Sequence, residues 1–526
     1  MPDLRASTRS AELLRMADAV LQPGFEGTTA PAWLLHRLAG GLRGVALFSR
    51  NIETLEQVAA LTAAMRAERG DVIVGIDEEA GDVTRLESRT GSSRPGNLAL
   101  GYVDDVELTE RVARDVGTDL ATGGITLNYA PDADVNSNAD NPVIGVRSFG
   151  SDPALVARHT AAWVRGLHAA GVAACAKHFP GHGSTGVDSH EDLPTILASR
   201  QELAERDLVP FRAAIAAGLR VMMSGHLLVP AYDPHRPATL SRPVLVDLLR
   251  GELGFDGLVV SDGIEMRAVT TRFGLVGATV EAIAAGCDAI CVGGDHADEE
   301  TALALRDAIA DAVADGTLAE ERLAEAAERV DRFAAWSVAA RRSAGPAPVR
   351  ADGDAPSGLA AARRAVSVTA TGDVAALLPL RQPPHVVELD PSVNRAIGRA
   401  TPWGLAEPLA RLLPGTTAVR LNPSDLAGAG VADRGLVAAL APAAGRPVVI
   451  VVRDAHRHLW VAEALRALVA ARPDATVVEM GVPNGVPPSA VYLATHGASR
   501  VSGEAAAEAL AGRRPMPRSA VGHGAP

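Results

Sequence analysis

VAACAKHF, residues 172–179, is an apolar, partly β-branched run that ends in two ionisable side chains, Lys177 and His178. A run of this length bounded by turn residues reads as a buried strand. The same design recurs on both sides of it. Downstream stand VMMSGHL near 221, LVVSDG near 258 and AICVGG near 289; upstream stand VALF near 45, VIVGID near 72 and ITLNYAPDAD near 125. A first strand around Ala19 to Phe25 completes eight. Ala/Leu-rich amphipathic stretches separate these runs from about residue 18 to 340, the rhythm of strand–helix units with parallel strands. Several runs end in ionisable groups, Asp77, Asp134, Lys177 with His178, His226 and Asp262. A (β/α)8 TIM-type barrel gathers its strand C-termini around the active-site mouth. A doubly wound open sheet also places ligands at strand ends, but count and length favour the barrel.

The chain is α/β throughout and, at 526 residues, long enough for two domains. Between Arg341 and Gly358 the sequence RRSAGPAPVRADGDAPSG loses periodicity and fills with Pro, Gly, Ala and charge, as expected of an exposed linker. The expected organisation is a catalytic barrel over residues 1–340, a linker region over 341–375 and a smaller C-terminal domain over 376–526. In that last part VVELD, TAVRL, VVIVVRD, TVVEMG and VYLATHG alternate with helical stretches such as WVAEALRALVAA. The pattern predicts a three-layer α/β sandwich. The tail GRRPMPRSAVGHGAP reads as frayed.

Fifty basic against sixty-three acidic residues leave a formal charge of −13, which disfavours nucleic acid as a partner. The opening MPDLRASTRSAELLRMADAV lacks the charged and apolar regions of a secretory signal, so a cytoplasmic location is expected. No uninterrupted apolar run of about 18 residues occurs, so no membrane partner is expected. Three cysteines, Cys175, Cys287 and Cys291, are too few and too odd in number for a disulfide framework. Cys287 and Cys291 read as buried structural thiols before they read as metal ligands.

The segment AKHFPGHGSTGVDSHEDLP, residues 176–194, packs three histidines, a lysine and two aspartates into a Gly-rich stretch after a strand. It admits three readings. One is a solvated loop. Another is a metal site from His178, His182, Asp188 and His190, although HExxH spacing is missing and the neighbouring lysine repels a cation. The third pairs Asp188 with His190: the carboxylate accepts one imidazole N–H, fixes the tautomer and supports the protonated ring, making His190 a general acid/base. In GFDGLVVSDGIEM, residues 254–266, an apolar strand delivers Asp262 to its C-terminal end. That carboxylate is a helix cap or, in this company, a nucleophile for an anomeric carbon.

KHFPGHG followed by DSHEDLP, then PFRAAIAAGLRVMMSGH and LSRPVLVDLLRGELGFDGLVVSD, resembles glycoside hydrolase family 3, in particular its bacterial β-N-acetylhexosaminidase branch. IDEEAGDVTRL from Ile76 and APDADVNSNADNPVIGVRSFG from Ala130 are similar to the family's sugar-binding strand ends. The resemblance implies a retaining β-N-acetylglucosaminidase with Asp262 as nucleophile and His190, supported by Asp188, as acid/base. It also implies sugar contacts from Asp77, Arg85, Arg147, Lys177 and His178. For either arginine a surface ion pair is the alternative. No metal and no cofactor are implied. The expected partner is a small carbohydrate such as chitobiose or a muropeptide fragment, and the sequence leaves the oligomeric state open. Two positions depart from the family pattern. Ala80 in DEEAG stands where a glycine is usual, and Gly263 follows the nucleophile position where an acidic residue is common.

Three other functions stay in view. A neutral imidazole adds no repulsion to an incoming phosphate, so a phosphorylase is compatible with the motif. A β-glucosidase or β-xylosidase of the same family generally draws its acid/base from a glutamate on the second domain, which argues against that reading. A catalytically silent sugar-binding protein on the same fold is the non-enzyme alternative.

Overall fold

The structure, a computed structural model, describes residues 10–294, 296–345, 357–371, 374–391, 396–398, 400–426, 431–485 and 489–513. The stretch 346–356 of the expected linker and residues 514–526 of the expected frayed tail lie outside these. The chain divides into two compact units. The first comprises Met1–Glu79, Thr109–Ile144 and Ser151–Asp352, and the second Ala80–Leu108, Gly145–Gly150 and Gly353–Pro526.

Among its described residues the first unit holds eight parallel strands: β1 (Leu21–Pro23), β2 (Gly44–Leu47), β3 (Ile73–Ile76), β4 (Leu127–Asn128), β5 (Ala173–Phe179), β6 (Val221–Ser224), β7 (Leu258–Ser261) and β8 (Ile290–Val292). Strands β2 to β7 pair in sequence order, with Gly44 opposite Ile73, Gly75 opposite Leu127, Leu127 opposite Ala173, Cys175 opposite Val221 and Val221 opposite Leu258. A bridge from Val260 to Ala289 carries the ring to β8, and β8 pairs with β1 through Leu21 and Ile290. The side chain of Gln22 on β1 lies against Gly44 of β2, where a Cβ would sit 2.6 Å from its Cγ. This is the barrel the strand count predicts.

Its interior is apolar and fully enclosed. Ala46, Ile73, Leu127, Ala173, Cys175, Val221, Met223, Leu258, Val260 and Cys291 pack together with Val330, Phe333 and Ala334 of the helix Glu320–Ala344. Filling a barrel with such side chains makes it a packed core, which leaves the strand C-termini as the place for chemistry. A hairpin of Leu228–Val229 and Asp233–Pro237, absent from the sequence reading, follows β6. The helix Arg267–Ala285 is long and apolar enough by length and composition to cross a membrane, although its charged residues break the uninterrupted apolar run. In the barrel it is broken at Gly274 (φ 66°) and buries Ala278, Thr279, Ala282 and Ile283.

The second unit is built on a six-stranded sheet in the order β9, β14, β13, β12, β10, β11. These are β9 (Ser367–Ala370), β10 (His385–Leu389), β11 (Thr417–Leu421), β12 (Val448–Val452), β13 (Thr476–Glu479) and β14 (Val491–Ala494). All neighbours are parallel except β9 and β14. Side chains alternate between its faces as a period of two requires. Val449 and Val451 join Leu405, Leu409, Val501 and Leu510 on one side, while Val448, Ile450 and Val452 join Val461, Leu465 and Leu468 on the other. Two helical layers around one sheet give the three-layer arrangement.

The linker reading is corrected in part. Gly358–Ala365 is a helix and Ser367–Ala370 a strand. GLAAARRA buries Gly358, Ala361, Ala362 and Ala365 along one face, with Arg363 and Arg364 off it. The contiguous boundaries also miss the two excursions, Ala80–Leu108 and Gly145–Gly150, that group with the second unit. They follow β3 and β4, the first including the helix Asn97–Val103, and no local pattern announces which unit such an excursion packs with.

Candidate active site

Asp262 directly follows β7, and its backbone N–H continues the parallel ladder to Ser224 O at 3.0 Å. Its Oδ1 accepts the Gly263 N–H at 2.8 Å. Burial opposes ionisation of this carboxyl, but the fields of His178, His226 and His190 and the Gly263 N–H outweigh it and bring the pKa down to about 2. The result is a carboxylate ionised at every physiological pH. His226, two residues beyond β6, donates its Nε2 hydrogen to Gly263 O at 2.9 Å, and its Nδ1 lies 2.9 Å from Thr239 Oγ1, bracing the turn that follows Asp262. Burial holds the His226 pKa below the ordinary imidazole range.

Lys177 and His178 come from the C-terminal part of β5, where the pairing with β6 shifts register between Ala176 and Phe179. Lys177 is 2% exposed and its Nζ meets Asp77 Oδ1 at 2.6 Å and Glu79 Oε1 at 2.7 Å. A buried ammonium requires such pairing. Asp77 and Glu79 follow β3, so the clamp ties two barrel strands together at the mouth. Asp134 is the second hub. Its Oδ2 meets His178 Nδ1 at 2.7 Å, and its Oδ1 accepts the backbone N–H groups of His178 at 3.2 Å and His182 at 2.6 Å.

The loop after β5 is fastened at several points. Asn141 Nδ2 donates to His182 O at 2.9 Å, Thr185 Oγ1 meets His182 Nδ1 at 2.7 Å and Ser189 Oγ lies 3.2 Å from His182 Nε2. Gly183 passes against the Val135 carbonyl so closely that a Cβ has no room there. This fastened loop presents Asp188 and His190. Asp188 Oδ1 accepts both the His190 backbone N–H at 2.9 Å and the Nδ1 hydrogen at 2.7 Å. Burial raises the Asp188 carboxyl, but the hydrogen bonds and charge of His190 prevail and its pKa lies below the usual carboxylate value. With Nδ1 committed, the Nε2 end of a ring one-quarter exposed is left to exchange protons.

The structure therefore brings Asp77, Lys177, His178, Asp188, His190 and Asp262 to one barrel mouth in the first unit. Arg85 and Arg147 belong to the second unit. There Arg85 donates to Ala396 O at 3.0 Å, and Arg147 is buried in a turn whose carbonyl accepts from Asn97 Nδ2 at 2.6 Å. The sequence reading assigned no role to Glu79, to the hub Asp134 or to His226. Asp134 and His226 did stand out as ionisable strand ends, and Glu79 was hidden in a run of three acids. Asp132, Asp134 and His178 offer three ligand atoms within 4.8 Å of one another, but Asp134 already spends both oxygens on His178 and His182.

An ionised carboxylate at one strand end and a carboxylate-supported imidazole on the loop after β5 are the kinds of group that glycoside cleavage can use. The family model for the glycosyl hydrolase family 3 N-terminal domain matches residues 19–333, and the chain belongs to that family. A beta-hexosaminidase of Pseudomonas aeruginosa is 40% identical over 273 residues, which cover 52% of this chain and 80% of the relative. Beta-hexosaminidase A of Pseudoalteromonas piscicida is 38% identical over 267 residues, and the match spans only 44% of that longer protein. Among solved structures, a glycoside hydrolase family 3 beta-N-acetylglucosaminidase from Paenibacillus sp. str. FPU-7 superposes with a TM-score of 0.85 at 32% identity, covering 96% of this chain and 97% of the other.

Proposed function

We propose that the protein is a retaining β-N-acetylglucosaminidase that removes a terminal N-acetylglucosamine in two displacements. The carrying observation is the pairing in one unit of Asp262, held ionised down to about pH 2, with the Asp188–His190 dyad 2.7 Å apart. In the first step the Asp262 carboxylate attacks the anomeric carbon, and His190 as imidazolium gives its Nε2 proton to the departing oxygen. The products are a glycosyl ester on Asp262 and a free aglycone alcohol. In the second step the now neutral Nε2 takes a proton from water, whose oxygen attacks the anomeric carbon and releases Asp262. Asp188 keeps the ring oriented and stabilises its charged form in both steps.

Asp77 and the Lys177 ammonium supply an acceptor and a donor for vicinal sugar hydroxyls, and His178, fixed by Asp134, adds a further polar edge. Arg85 and Arg147 are kept as proposed sugar contacts on the family resemblance alone. The preference for an acetamido sugar rests on the names of the relatives. Chitobiose and muropeptide fragments are the expected natural substrates. Turnover of a chromogenic β-N-acetylglucosaminide, with the matching β-glucoside and β-xyloside as controls, tests the reading. Activity confined to the glucoside or xyloside overturns the specificity. Trapping with a fluorinated glycoside and peptide mapping tests the nucleophile, and a label on any residue other than Asp262 overturns that assignment.

A further inference from the structure

The backbone of Asp262 is fixed to the barrel by its bond to Ser224 O at 3.0 Å, and its carboxylate is oriented by the Gly263 N–H at 2.8 Å. Glycine has no side chain to restrict its backbone, so the peptide that orients the carboxylate depends on what holds Gly263 from outside. Further along, the turn is fastened by Glu265, whose Oε1 accepts the N–H groups of Gly293, at 3.2 Å, and of Gly294, both just beyond β8. Between these two points the chain is gripped at the Gly263 carbonyl. That oxygen accepts the Met266 N–H at 3.0 Å and the His226 Nε2 hydrogen at 2.9 Å. The first bond is internal to the turn, whereas the second ties the turn to the end of β6.

Hydrogen counting gives the direction of every bond around the ring. A carbonyl only accepts, so Nε2 carries the hydrogen, and a ring that burial keeps neutral has none left for Nδ1. Nδ1 is therefore an acceptor, and Thr239 Oγ1, 2.9 Å away, is its donor. The Thr239 hydroxyl also lies 3.0 Å from Gly225 O, but that carbonyl already takes the Leu227 N–H at 3.0 Å. Ser224 Oγ in turn donates to Thr239 Oγ1 at 3.1 Å. All three side chains are fully buried, where such bonds are stronger than in water. One chain of bonds thus runs from Ser224 through Thr239 and His226 to the carbonyl of Gly263, and the N–H of the same glycine meets Asp262 Oδ1.

We propose that His226 is a positioning residue for the nucleophile: oriented by Thr239, its Nε2–H fixes the Gly263 peptide and through it aims the Asp262 carboxylate at the anomeric carbon. This rests on the glycosidase reading above. The test follows covalent labelling by a fluorinated glycoside, whose rate at saturation reads the attack of Asp262 and whose half-saturating concentration reads binding. His226→Leu removes the donor, and His226→Gln restores an N–H at a similar reach. The leucine variant is expected to label roughly 10²-fold more slowly, as for a reacting group misplaced by about 1 Å, with half-saturation within about 3-fold of wild type. The glutamine variant should recover to within about 10-fold of wild type. Thr239→Val and Thr239→Ser repeat the comparison from the other side of the ring and carry it if the His226 variants fail to fold; the valine variant should label about 10-fold more slowly than the serine variant. A leucine variant that labels at the wild-type rate, a glutamine variant as slow as leucine, a loss confined to half-saturation, or equal rates for valine and serine at 239 overturns the proposal. A wild type that is neither labelled nor active on any of the glycosides overturns the glycosidase reading and this proposal with it.

Discussion

Asp188→Asn isolates charge from geometry at the proposed acid/base. The amide oxygen of asparagine can still accept both hydrogen bonds that Asp188 Oδ1 takes from His190, at 2.9 and 2.7 Å, so the ring keeps its place and the fold should survive. What disappears is the negative charge. Taking the delocalised charge centres as about 4 Å apart, an effective dielectric of about 20 gives an attraction of ~4 kcal/mol between carboxylate and imidazolium. That corresponds to about 10³ in a step that requires the protonated ring. The ring is 25% exposed, and screening there brings the lower bound to about 10². A natural disaccharide leaves as an alkoxide and needs the proton, so its kcat/KM should fall by about 10²–10³. A dinitrophenyl glycoside leaves without help and should fall by less than about 10-fold. Comparing kcat/KM restricts the measurement to the first displacement. Equal losses on the two substrates would refute the reasoning, because they would mean that the pair positions the sugar or supports the loop and transfers no proton.

Four further outcomes are expected. The folded-state pKa of Asp262 is depressed from 3.8 to about 2, so its contribution to stability is complete above about pH 4 and is lost as pH falls toward 2; in urea titrations the difference between wild type and Asp262→Asn should therefore shrink by ~2 kcal/mol between pH 5 and pH 2, and a constant difference counts against the assigned field. Lys177→Met leaves Asp77 and Glu79 facing each other at the mouth without a cation, and should cost about 3–5 kcal/mol in chemical denaturation at pH 7; a loss below about 1 kcal/mol would show that water repairs the clamp. Gly183→Ala forces the loop away from the Val135 carbonyl, so kcat should fall at least about 10-fold while far-UV circular dichroism stays unchanged, and wild-type kcat would show that the contact does not position the dyad. Dialysis against a chelator should leave kcat unchanged, since every proposed step uses only carboxylate, imidazole and water; a loss restored by a divalent ion would point to Asp132, Asp134 and His178 as its ligands.

The barrel was legible because several strands announce themselves twice, once by an apolar run and once by the ionisable residue at the end. LVVS followed by Asp262 and AACAKHF with Lys177 and His178 are the clearest cases, and both ends are where the structure gathers polar groups. The dyad was legible because its two members are two residues apart, so local geometry alone lets Asp188 reach both N–H groups of His190. Glu79 and Asp134 were not, because what distinguishes them is a partner 98 or 44 positions away, Lys177 or His178. No spacing rule encodes a pairing set by how neighbouring strands align. The same holds for Ala80–Leu108, whose helix Asn97–Val103 is clear enough in itself but whose packing partner, the helix Gly358–Ala365, lies more than 250 residues away.

The two departures from the family pattern have different physical weight. Ala80 adopts φ 62°, inside the left-handed region that favours glycine. An alanine there costs about 1–2 kcal/mol of backbone strain, partly offset because alanine loses less conformational freedom than glycine on folding. The bridge between Ala80 and Val83 shows that the turn keeps its hydrogen-bonded form despite the methyl group, so the cost falls on stability and leaves the chain path intact. Gly263 is the reverse case, a side chain removed rather than added. Its φ is not in the left-handed region, so no backbone requirement explains a glycine at this position. What the missing side chain provides is room, and the Glu265 carboxyl lies in that room, 3.5 Å from where a Cβ would stand. A carboxyl group is thus still present beside the turn after Asp262, delivered from two residues further along and fastened by the β8 amides instead of by its own backbone. In this chain the carboxyl beside the turn after Asp262 therefore comes from Glu265.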